Sequence, residues 1–570
     1  VPNGVFAWLA YRSGLRFFSA AILKDPSSSA VNEKISFLSW HYLSKKGVNS
    51  IALQLVLSFT SAPKSGILIK ALLFIMEKDP VRIAGYVVYV IYVITSIWLM
   101  LNAIIQVHLL WHYKKKRRGN DSKGAIPAML PFISIQVPVY NERYVISRLL
   151  RALSAFEYPK DKFEIQVLDD SDDETVELIN QEAAKLGKAG FSISVLRRDD
   201  RSGFKAGALQ AGLARCKGEL IAIFDADFIP EPHFLRKLIP HFSNPTTGMV
   251  QARWGHLNRE QNHLTRAQTL LLDTHFSIEQ VGRSNAGYFT NFCGTAGIWR
   301  KQCILEAGGW DGTVLSEDLD LSYRAQLKGW KMVYDDSIEV PAELPSVMEA
   351  FKIQQFRWTK GMAQIFKKTM STLLHTPMPL AKKIHGIFHL LGSFVFVCLL
   401  LNAILMLPLL VLRTLYPEFV TLTEYTIVNS LNLVTLTLFY YNGTRSTQKQ
   451  EDSSFWRSYP LFLVLYMGLA VQNSIAVLQG LFGSSSPFVR TPKFNATDPS
   501  ATTYHSRKFT RINYLEGGML CYFLAGIAIS FFTGDFFMLL FFVMMSAGLS
   551  FILFYSEAPT RDNRLSPNFG

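Results

Sequence analysis

Apolar residues run almost unbroken from Ile83 to Trp111, recur as short runs between residues 128 and 345, and return as long runs beyond Lys382 and Lys383. The first run is long enough to cross roughly 30 Å of hydrocarbon at about 1.5 Å per residue, which predicts a transmembrane helix over 83–112. Lys114, Lys115, Lys116, Arg117 and Arg118 follow at once, and the positive-inside rule places what comes next in the cytosol. The later runs, in a region spanning 387–555, fall at about 387–412, 423–441, 458–481, 514–533 and 535–555, the last two split by Gly534 and Asp535. The loop before 458–481 carries Arg445, Lys449 and Arg457, and the loop after it carries Arg490, Lys493, Arg507, Lys508 and Arg511, so both read as cytosolic. The run itself holds Gly468, Gln472, Asn473 and Gln479, which hydrocarbon tolerates poorly. It is read as re-entrant or in-plane, which leaves about five spans; a short helical hairpin is the alternative. Residues 1–82 hold apolar patches at 5–23 and 51–76, broken by Arg12, Arg16, Lys64 and Lys70, and read as amphipathic surface segments rather than spans.

Between the membrane runs the periodicity changes. "FISIQVPVY" (132–140), "FEIQVLDD" (163–170), "FSISVLRR" (191–198) and "ELIAIFDAD" (219–227) read as strands, alternating with helical stretches near 143–155, 173–187 and 203–215. This rhythm predicts an α/β domain over 128–345 with a mostly parallel sheet, helices on both faces, and ligands beyond the carboxyl ends of the strands. Residues 346–370 interleave apolar and basic side chains, as an amphipathic helix on a membrane surface does, and 346–386 is assigned as an interface segment.

Composition fits a mixed membrane and soluble chain: 570 residues, 49% hydrophobic, 13% aromatic, net charge +14. The positive charge suits phosphate-bearing partners, either lipid headgroups or a nucleotide. Nucleic acid is excluded because the basic residues follow membrane boundaries instead of one face of a soluble fold. The five cysteines lie far apart with no C-x-x-C pair, which argues against zinc or a disulfide framework and for a reducing compartment. Val1 is not a methionine and no cleavable signal pattern follows it, which leaves room for residues ahead.

Two strand ends are acidic. Asp225 and Asp227 follow "LIAIF" directly and can emerge from one tight turn; such hard oxygens hold Mg²⁺ or Mn²⁺ with water and substrate phosphates completing the shell. A metal there would neutralise a departing diphosphate. Asp169 and Asp170 end a second strand, where a helix cap is an equal reading for Asp170. "FCGTAGIWRK" (292–301) is a small-residue turn that lets backbone approach a ligand. In "SEDLDLSYRAQLKGW" (316–330), either Ser316 caps a helix with Glu317 and Asp318 complementing its dipole, or Asp318 enters the cleft as a general base. "KIQQFRWTKG" (352–361) sets an amide, a cation and an aromatic plate together, which a plain apolar anchor does not need.

In order along the chain, "VLDDS" (167–171), "DAD" (225–227), "FCGTAG" (292–297), "SED" (316–318), "QQFRW" (354–358) and "FVRTPK" (488–493) resemble the motif set of processive family 2 glycosyltransferases, the cellulose synthases and cellulose-synthase-like mannan and glucan synthases. The resemblance implies a GT-A type cytosolic domain inserted between transmembrane helices. It implies that Asp169 or Asp170 holds the nucleotide, that Asp225 and Asp227 hold nucleotide and metal (Mg²⁺ or Mn²⁺), and that Asp318 is the base. Gln354 and Arg357 would meet the donor diphosphate. Trp358 would carry the acceptor's terminal sugar, whose axial C–H face packs on indole. Cys293 and Gly294 would face the acceptor. Ser316 departs from the family's usual threonine but keeps the hydroxyl. Phe488, Thr491 and Lys493 match a cytosolic gating loop, within 482–511, where Arg490 and Lys493 would clamp the diphosphate. Lys205, in "RSGFKAGAL" (201–209), matches a segment near the nucleotide; a phosphate contact and a solvated lysine at a helix start are both open.

The activity implied is an inverting, processive transfer that polymerises a β-linked glucan, mannan or glucomannan from UDP-glucose or GDP-mannose and moves it across a plasma, inner or Golgi membrane. The partners implied are the nucleotide sugar, the growing β-glycan and the bilayer, with a homo-oligomer or accessory subunit compatible with it. A non-processive enzyme making a glycolipid such as glucosylceramide is the alternative; "FVRTPK" and the number of late helices count against it.

Overall fold

The computed structural model describes residues 79–116, 127, 129–424, 430–447, 453–483 and 510–557. The chain divides into two units, Val1–Ala84 and Gly85–Gly570, and the features below belong to the second. The amphipathic segments expected within residues 1–78, and Phe488, Arg490, Thr491 and Lys493 of the gating-like loop, lie outside the described residues.

After helix α1 (Pro80–Lys116) the catalytic-type domain alternates strand and helix: β1 (Ile133–Val139), α2 (Ile146–Ser154), β2 (Phe163–Asp169), α3 (Thr175–Lys188), β3 (Ser192–Arg197), α4 (Phe204–Arg215), β4 (Leu220–Ile223) and α5 (Phe234–Leu238). It continues through β5 (Thr247–His256), α6 (His263–Thr274), a π-turn into α7 (Gln280–Ala286), β6 (Gly297–Arg300), α8 (Lys301–Glu306), α9 (Glu317–Leu327) and β7 (Lys331–Ala342). The strands form one seven-stranded sheet, ordered β3-β2-β1-β4-β6-β5-β7. Only β6 runs antiparallel to its neighbours; the rest of the sheet is parallel, as the βαβ rhythm requires.

Alternate residues of each central strand feed opposite cores. Ile133, Ile135, Val137, Leu220 and Ala222 pack on one side of the sheet with α2; Ile221 and Ile223 pack on the other with Leu209 and Leu213 of α4 and Trp299. The pattern I-S-I-Q-V on β1 and F-E-I-Q-V on β2 would leave a polar face to solvent in an open sheet. Here that face is buried, because the polar residues pair across the ladder. Ser134 donates to Glu164 (2.6 Å) and Gln136 to Gln166 (3.1 Å), both in register. Glu164 also accepts the Lys217 N–H (2.8 Å), so each buried polar group has a partner.

Beyond β7 the chain is helical: α10 (Met348–His375), α11 (Leu380–Leu390), α12 (Val395–Leu415), α13 (Pro417–Glu424), α14 (Ser430–Thr447), α15 (Ser453–Gly468), α16 (Ala470–Phe482), α17 (Arg511–Thr533) and α18 (Leu539–Glu557). Four stretches are long and apolar enough to cross a membrane: Pro80–Lys115, Gly392–Leu415, Arg511–Thr533 and Leu539–Ser556. The 458–481 run is the bent pair α15–α16, turned by 51° at Leu469. Gly468 sits at the bend and packs so closely on Gly548 of α18 that a Cβ at either position would overlap the other's backbone. The 423–441 run is not among those four stretches. Within it α14 carries Tyr440, Tyr441, Asn442 and Gly443, and this end docks on the catalytic domain, Gly443 lying against Thr274 of α6. The amphipathic reading of 346–370 holds as one continuous helix, α10, but its polar residues do not face solvent: Lys352, Gln354, Gln355, Thr359 and Lys360 are all buried.

Candidate active site

The carboxyl ends of the parallel strands open on a cleft of ≈ 200 Å³. Tyr140 enters it after β1, Asp170 after β2, Asp225 and Asp227 after β4, and Glu343 after β7. His256, the last residue of β5, faces it too. Antiparallel β6 brings its amino end to the same edge, so the turn before it supplies Cys293 and Gly294. Helix α10 closes the cleft with Gln354, Arg357 and Trp358, which are spaced three and four apart and share one face. Gly361 completes that face. A Cβ there would overlap the Ser316 hydroxyl, so glycine is what lets α10 approach the start of α9. Ser316 occupies the N-cap position of α9 but makes no side-chain cap bond; its position opposite Gly361 accounts for a small residue there.

Lys205 organises the centre. Its ammonium pairs with Asp225 Oδ1 at 2.6 Å, donates to the Gly294 carbonyl at 2.9 Å and lies 3.9 Å from Glu317 Oε1. Burial opposes its charge, but Asp225 and Glu317 outweigh it and hold its pKa above the ordinary range. The Asp225 N–H is tied to Thr295 Oγ1 at 2.9 Å, which fixes the D-x-D turn to the "FCGTAG" turn. Gly294 has φ +83°, and a Cβ on it would lie 3.0 Å from Asp318 Oδ2 and 3.3 Å from Lys205 Nζ, so both the backbone and the space call for glycine. Burial, and then the like charge of Glu317, push the Asp318 carboxyl up to about 7 against the pull of Lys205. That is the range in which a carboxylate serves as a general base near neutral pH. Burial lowers the Arg357 pKa, with Glu317, Asp225 and Asp318 opposing that shift, so the guanidinium belongs to the same charge cluster. Burial, and then Asp318, raise the Cys293 thiol, which keeps it protonated and unsuited to nucleophilic work.

Asp169 and Asp170 part company. Asp170 lines the cleft and is gripped by Arg198, Nε to Oδ1 at 3.0 Å and the second nitrogen to Oδ2 at 2.5 Å. Asp169 is fully enclosed, paired with Arg197 at 2.9 Å and capping the Ser171 N–H at 3.0 Å, and it does not reach the cleft. A nucleotide contact assigned to Asp169 is therefore corrected to Asp170; the one-residue step across the strand end turns the side chain to the other face. Asp227 is buried beside the cleft, with its carbonyl accepting from Arg148 at 3.3 Å. The two D-x-D carboxylates offer hard oxygens, and among the described residues no third His, Cys, Asp or Glu joins them in a metal-sized cluster. That donor set fits Mg²⁺ or Mn²⁺ completed by phosphate and water oxygens.

Several cleft residues escape the motif reading. Arg201 stacks its guanidinium 3.3 Å above the Tyr140 ring, making an aromatic and cationic wall near Asp170. The signal for Arg198 and Arg201 is the basic run "RRDDR" after β3, whose strand neighbours the acidic end of β2. Trp254 and His256 sit on β5, whose periodicity is masked by its burial on both faces. Trp254 and Trp358 both pack against an apolar cluster of Leu272, Phe276 and Leu344.

Residues 131–361 match the family described as glycosyltransferase-like family 2. The chain is 35% identical over 399 residues to glucomannan 4-beta-mannosyltransferase 9 of Arabidopsis thaliana, covering 67% of this chain and 72% of that protein. It is 41% identical over 304 residues to glucomannan 4-beta-mannosyltransferase 2 of the same plant, covering 52% of this chain and 56% of that one. Among solved structures, the mannosyltransferase of Pyrobaculum calidifontis in complex with GDP-Man and Mn²⁺ aligns with TM-score 0.48 and 16% identity, over 69% of this chain and 99% of that one. With its sheet, its ordered motifs and its apolar helices, the chain is a membrane glycosyltransferase and belongs to the cellulose-synthase-like group of glycosyltransferase family 2.

Proposed function

We propose that this protein polymerises a β-1,4-linked mannan or glucomannan from GDP-mannose and passes the chain through its own membrane helices, with the catalytic domain in the cytosol. The observation that carries the reading is the identity to a glucomannan 4-beta-mannosyltransferase, which extends well beyond the 131–361 domain. A glycolipid product is not favoured, because the similar proteins bear polysaccharide-synthase names.

The strand order sets the order of the substrates. The nucleotide lies at the β1–β2 side, against Tyr140, Asp170 and Arg201. The donor diphosphate lies at the centre, where Lys205, Arg357 and Gln354 supply two cations and an amide. Asp318 takes the proton of the acceptor's 4-hydroxyl, and that oxygen bonds to the anomeric carbon from the face opposite the nucleotide. The bond from that carbon to the diphosphate oxygen breaks, its electron pair leaves with GDP, and an α-linked donor gives a β-linkage. Trp358 holds the acceptor sugar by its apolar face while Cys293 and Gly294 border it. Mg²⁺ or Mn²⁺ held by Asp225 and Asp227 would neutralise the leaving diphosphate when bound. In the family's pattern, the gating-like residues Phe488, Arg490, Thr491 and Lys493 close over the donor.

The test is product analysis of the purified protein in nanodiscs with Mg²⁺ or Mn²⁺ and radiolabelled GDP-mannose or UDP-glucose supplied separately. High-molecular-weight label from GDP-mannose that endo-β-1,4-mannanase digests is the expected result. Label confined to the lipid extract would overturn polymerisation, and polymer made from UDP-glucose alone and resistant to mannanase would overturn the sugar.

A further inference from the structure

His256 is a buried imidazole on the wall of the cleft, with its side chain only 2% exposed. It ends β5, and β5 lies two strands beyond β4, the strand that delivers the D-x-D turn, on the side away from β1 and β2. Along this edge the nucleotide side comes first, the diphosphate centre second, and the β5–β7 end last. His256 therefore belongs to the end where Trp254 and Trp358 meet over Leu272 and Leu344. That end is apolar and aromatic, the kind of wall that takes the C–H face of a sugar but leaves its hydroxyls without partners. A histidine is a costly residue to bury in such a wall without a polar task.

The imidazole is held from behind. Nε2 lies 3.4 Å from Asp273 Oδ1, too long for a good hydrogen bond, and that nitrogen has no other hydrogen-bond partner. Asp273 is fixed by Arg259 at 2.8 Å and accepts from Thr447 at the end of α14 at 3.3 Å. Its carboxyl stays below the ordinary range despite burial, because His256 and then Arg259 favour the anion. A ring with one nitrogen turned to a fixed carboxylate keeps its second nitrogen for a partner on its other side, and a sugar hydroxyl is the partner this cleft provides.

We propose that His256 binds a hydroxyl of the glycan acceptor beside Trp358, and that Asp273 is the positioning residue that orients the His256 ring. The inference rests on the polymer-synthase reading above. It adds a polar, hydroxyl-selecting contact to the aromatic platform, and it places that contact on a support that reaches the membrane helix α14. A site built to hydrogen-bond a hydroxyl discriminates strongly against an acceptor that lacks it.

The experiment separates acceptor from donor. Wild type, His256→Ala, His256→Asn and Asp273→Asn are assayed for transfer to a soluble β-1,4-manno-oligosaccharide and, in its absence, for hydrolysis of the nucleotide sugar that wild type uses. GDP binding by calorimetry reports whether each variant keeps its fold. The expected result is an acceptor KM raised about tenfold or more in His256→Ala, less in His256→Asn, and intermediate in Asp273→Asn, with donor hydrolysis and GDP affinity within about twofold of wild type. A deoxy-acceptor lacking the contacted hydroxyl should then be handled equally by wild type and His256→Ala. An unchanged acceptor KM, or parallel losses in acceptor KM and donor hydrolysis in variants that still bind GDP, would overturn the role of His256. Wild type that hydrolyses donor but never extends the oligosaccharide would instead overturn the polymer-synthase reading, and the inference would fall with it.

Discussion

Asp318 can accept a proton only as an anion, yet its surroundings oppose ionisation: it is enclosed in the cleft beside Glu317, and its carboxyl is pushed up to about 7. The sign follows directly. Below about pH 7 the group is protonated and idle, so transfer should fall as pH drops through that region and level off above it. Glu317→Gln removes the like charge, which lowers the Asp318 pKa and should move the acid limb of the kcat/KM profile to lower pH. Asp318→Asn should abolish transfer while sparing GDP binding. An acid limb that stays in place in Glu317→Gln would take Asp318 out of the base role. At this scale the sequence carried most of the site, because an acidic pair after a buried strand is legible from order alone. It could not tell Asp169 from Asp170, since which of two adjacent side chains turns into the cleft depends on where the strand stops; nor could it show that Lys205 reaches Asp225 rather than solvent, because their contact joins two different βα units.

The elements explain why those side chains converge. Gln354, Arg357, Trp358 and Gly361 lie on one stripe of α10, and Leu315, just before α9, donates to Gln364 on the same helix at 3.0 Å. The distance between Asp318 and the Arg357–Trp358 pair is thus set by how closely two helices meet at Gly361 and Ser316. Gly361→Ala adds a methyl that overlaps the Ser316 hydroxyl and forces the helices apart. We expect kcat to fall by about tenfold or more, since a misplacement near 1 Å can cost about a hundredfold, with GDP affinity much less affected. Ser316→Gly in the same chain should restore part of the loss, and a double variant no better than the single one would show that the contact does not set the geometry. Four strands and their helices were legible from periodicity, because the βα repeats alternate cleanly. β5, β6 and β7 were not, because they are short, bulged or covered on both faces. The buried polar side of α10 was hidden for a related reason: lysine and glutamine read as solvated, but Lys352 is matched by Glu516 of α17 at 2.8 Å and Lys360 by Gln479 of α16 at 3.2 Å.

Over the whole molecule, the packing fixes which helix ends share a side. α1 runs from Gly85, which packs on Leu412 and Phe419, to Leu109, whose carbonyl abuts Gly282 of the catalytic domain. α12 leaves that domain near Ser393, whose hydroxyl donates to the Thr359 carbonyl at 3.4 Å, and ends at Arg413, paired with Asp535 in the α17–α18 turn at 2.5 Å. The chain then has to return, because Gly443 of α14 rests on Thr274 of the catalytic domain. So the stretch from α13 to α14 crosses, although α14 is not apolar enough to announce it. The bent pair does the opposite. α15 starts against α6 through Phe455 and Tyr459, and α16 ends with Gly480 pressed on Lys360 and Ala363 of α10, so both of its ends lie on the catalytic side and it need not cross despite its apolarity. We infer five crossings, with the 484–509 loop on the cytosolic side where a gating element over the cleft has to be. Single cysteines in an otherwise cysteine-free chain test this in oriented vesicles with a membrane-impermeant maleimide. Phe482→Cys, at the end of α16, should label from the same side as the catalytic domain, and Phe532→Cys, near the α17–α18 turn, from the other; both positions are well exposed, at 80% and 92%. Labelling of both from one side would make the bent pair a true span, and would carry the following loop away from the nucleotide it is expected to cover.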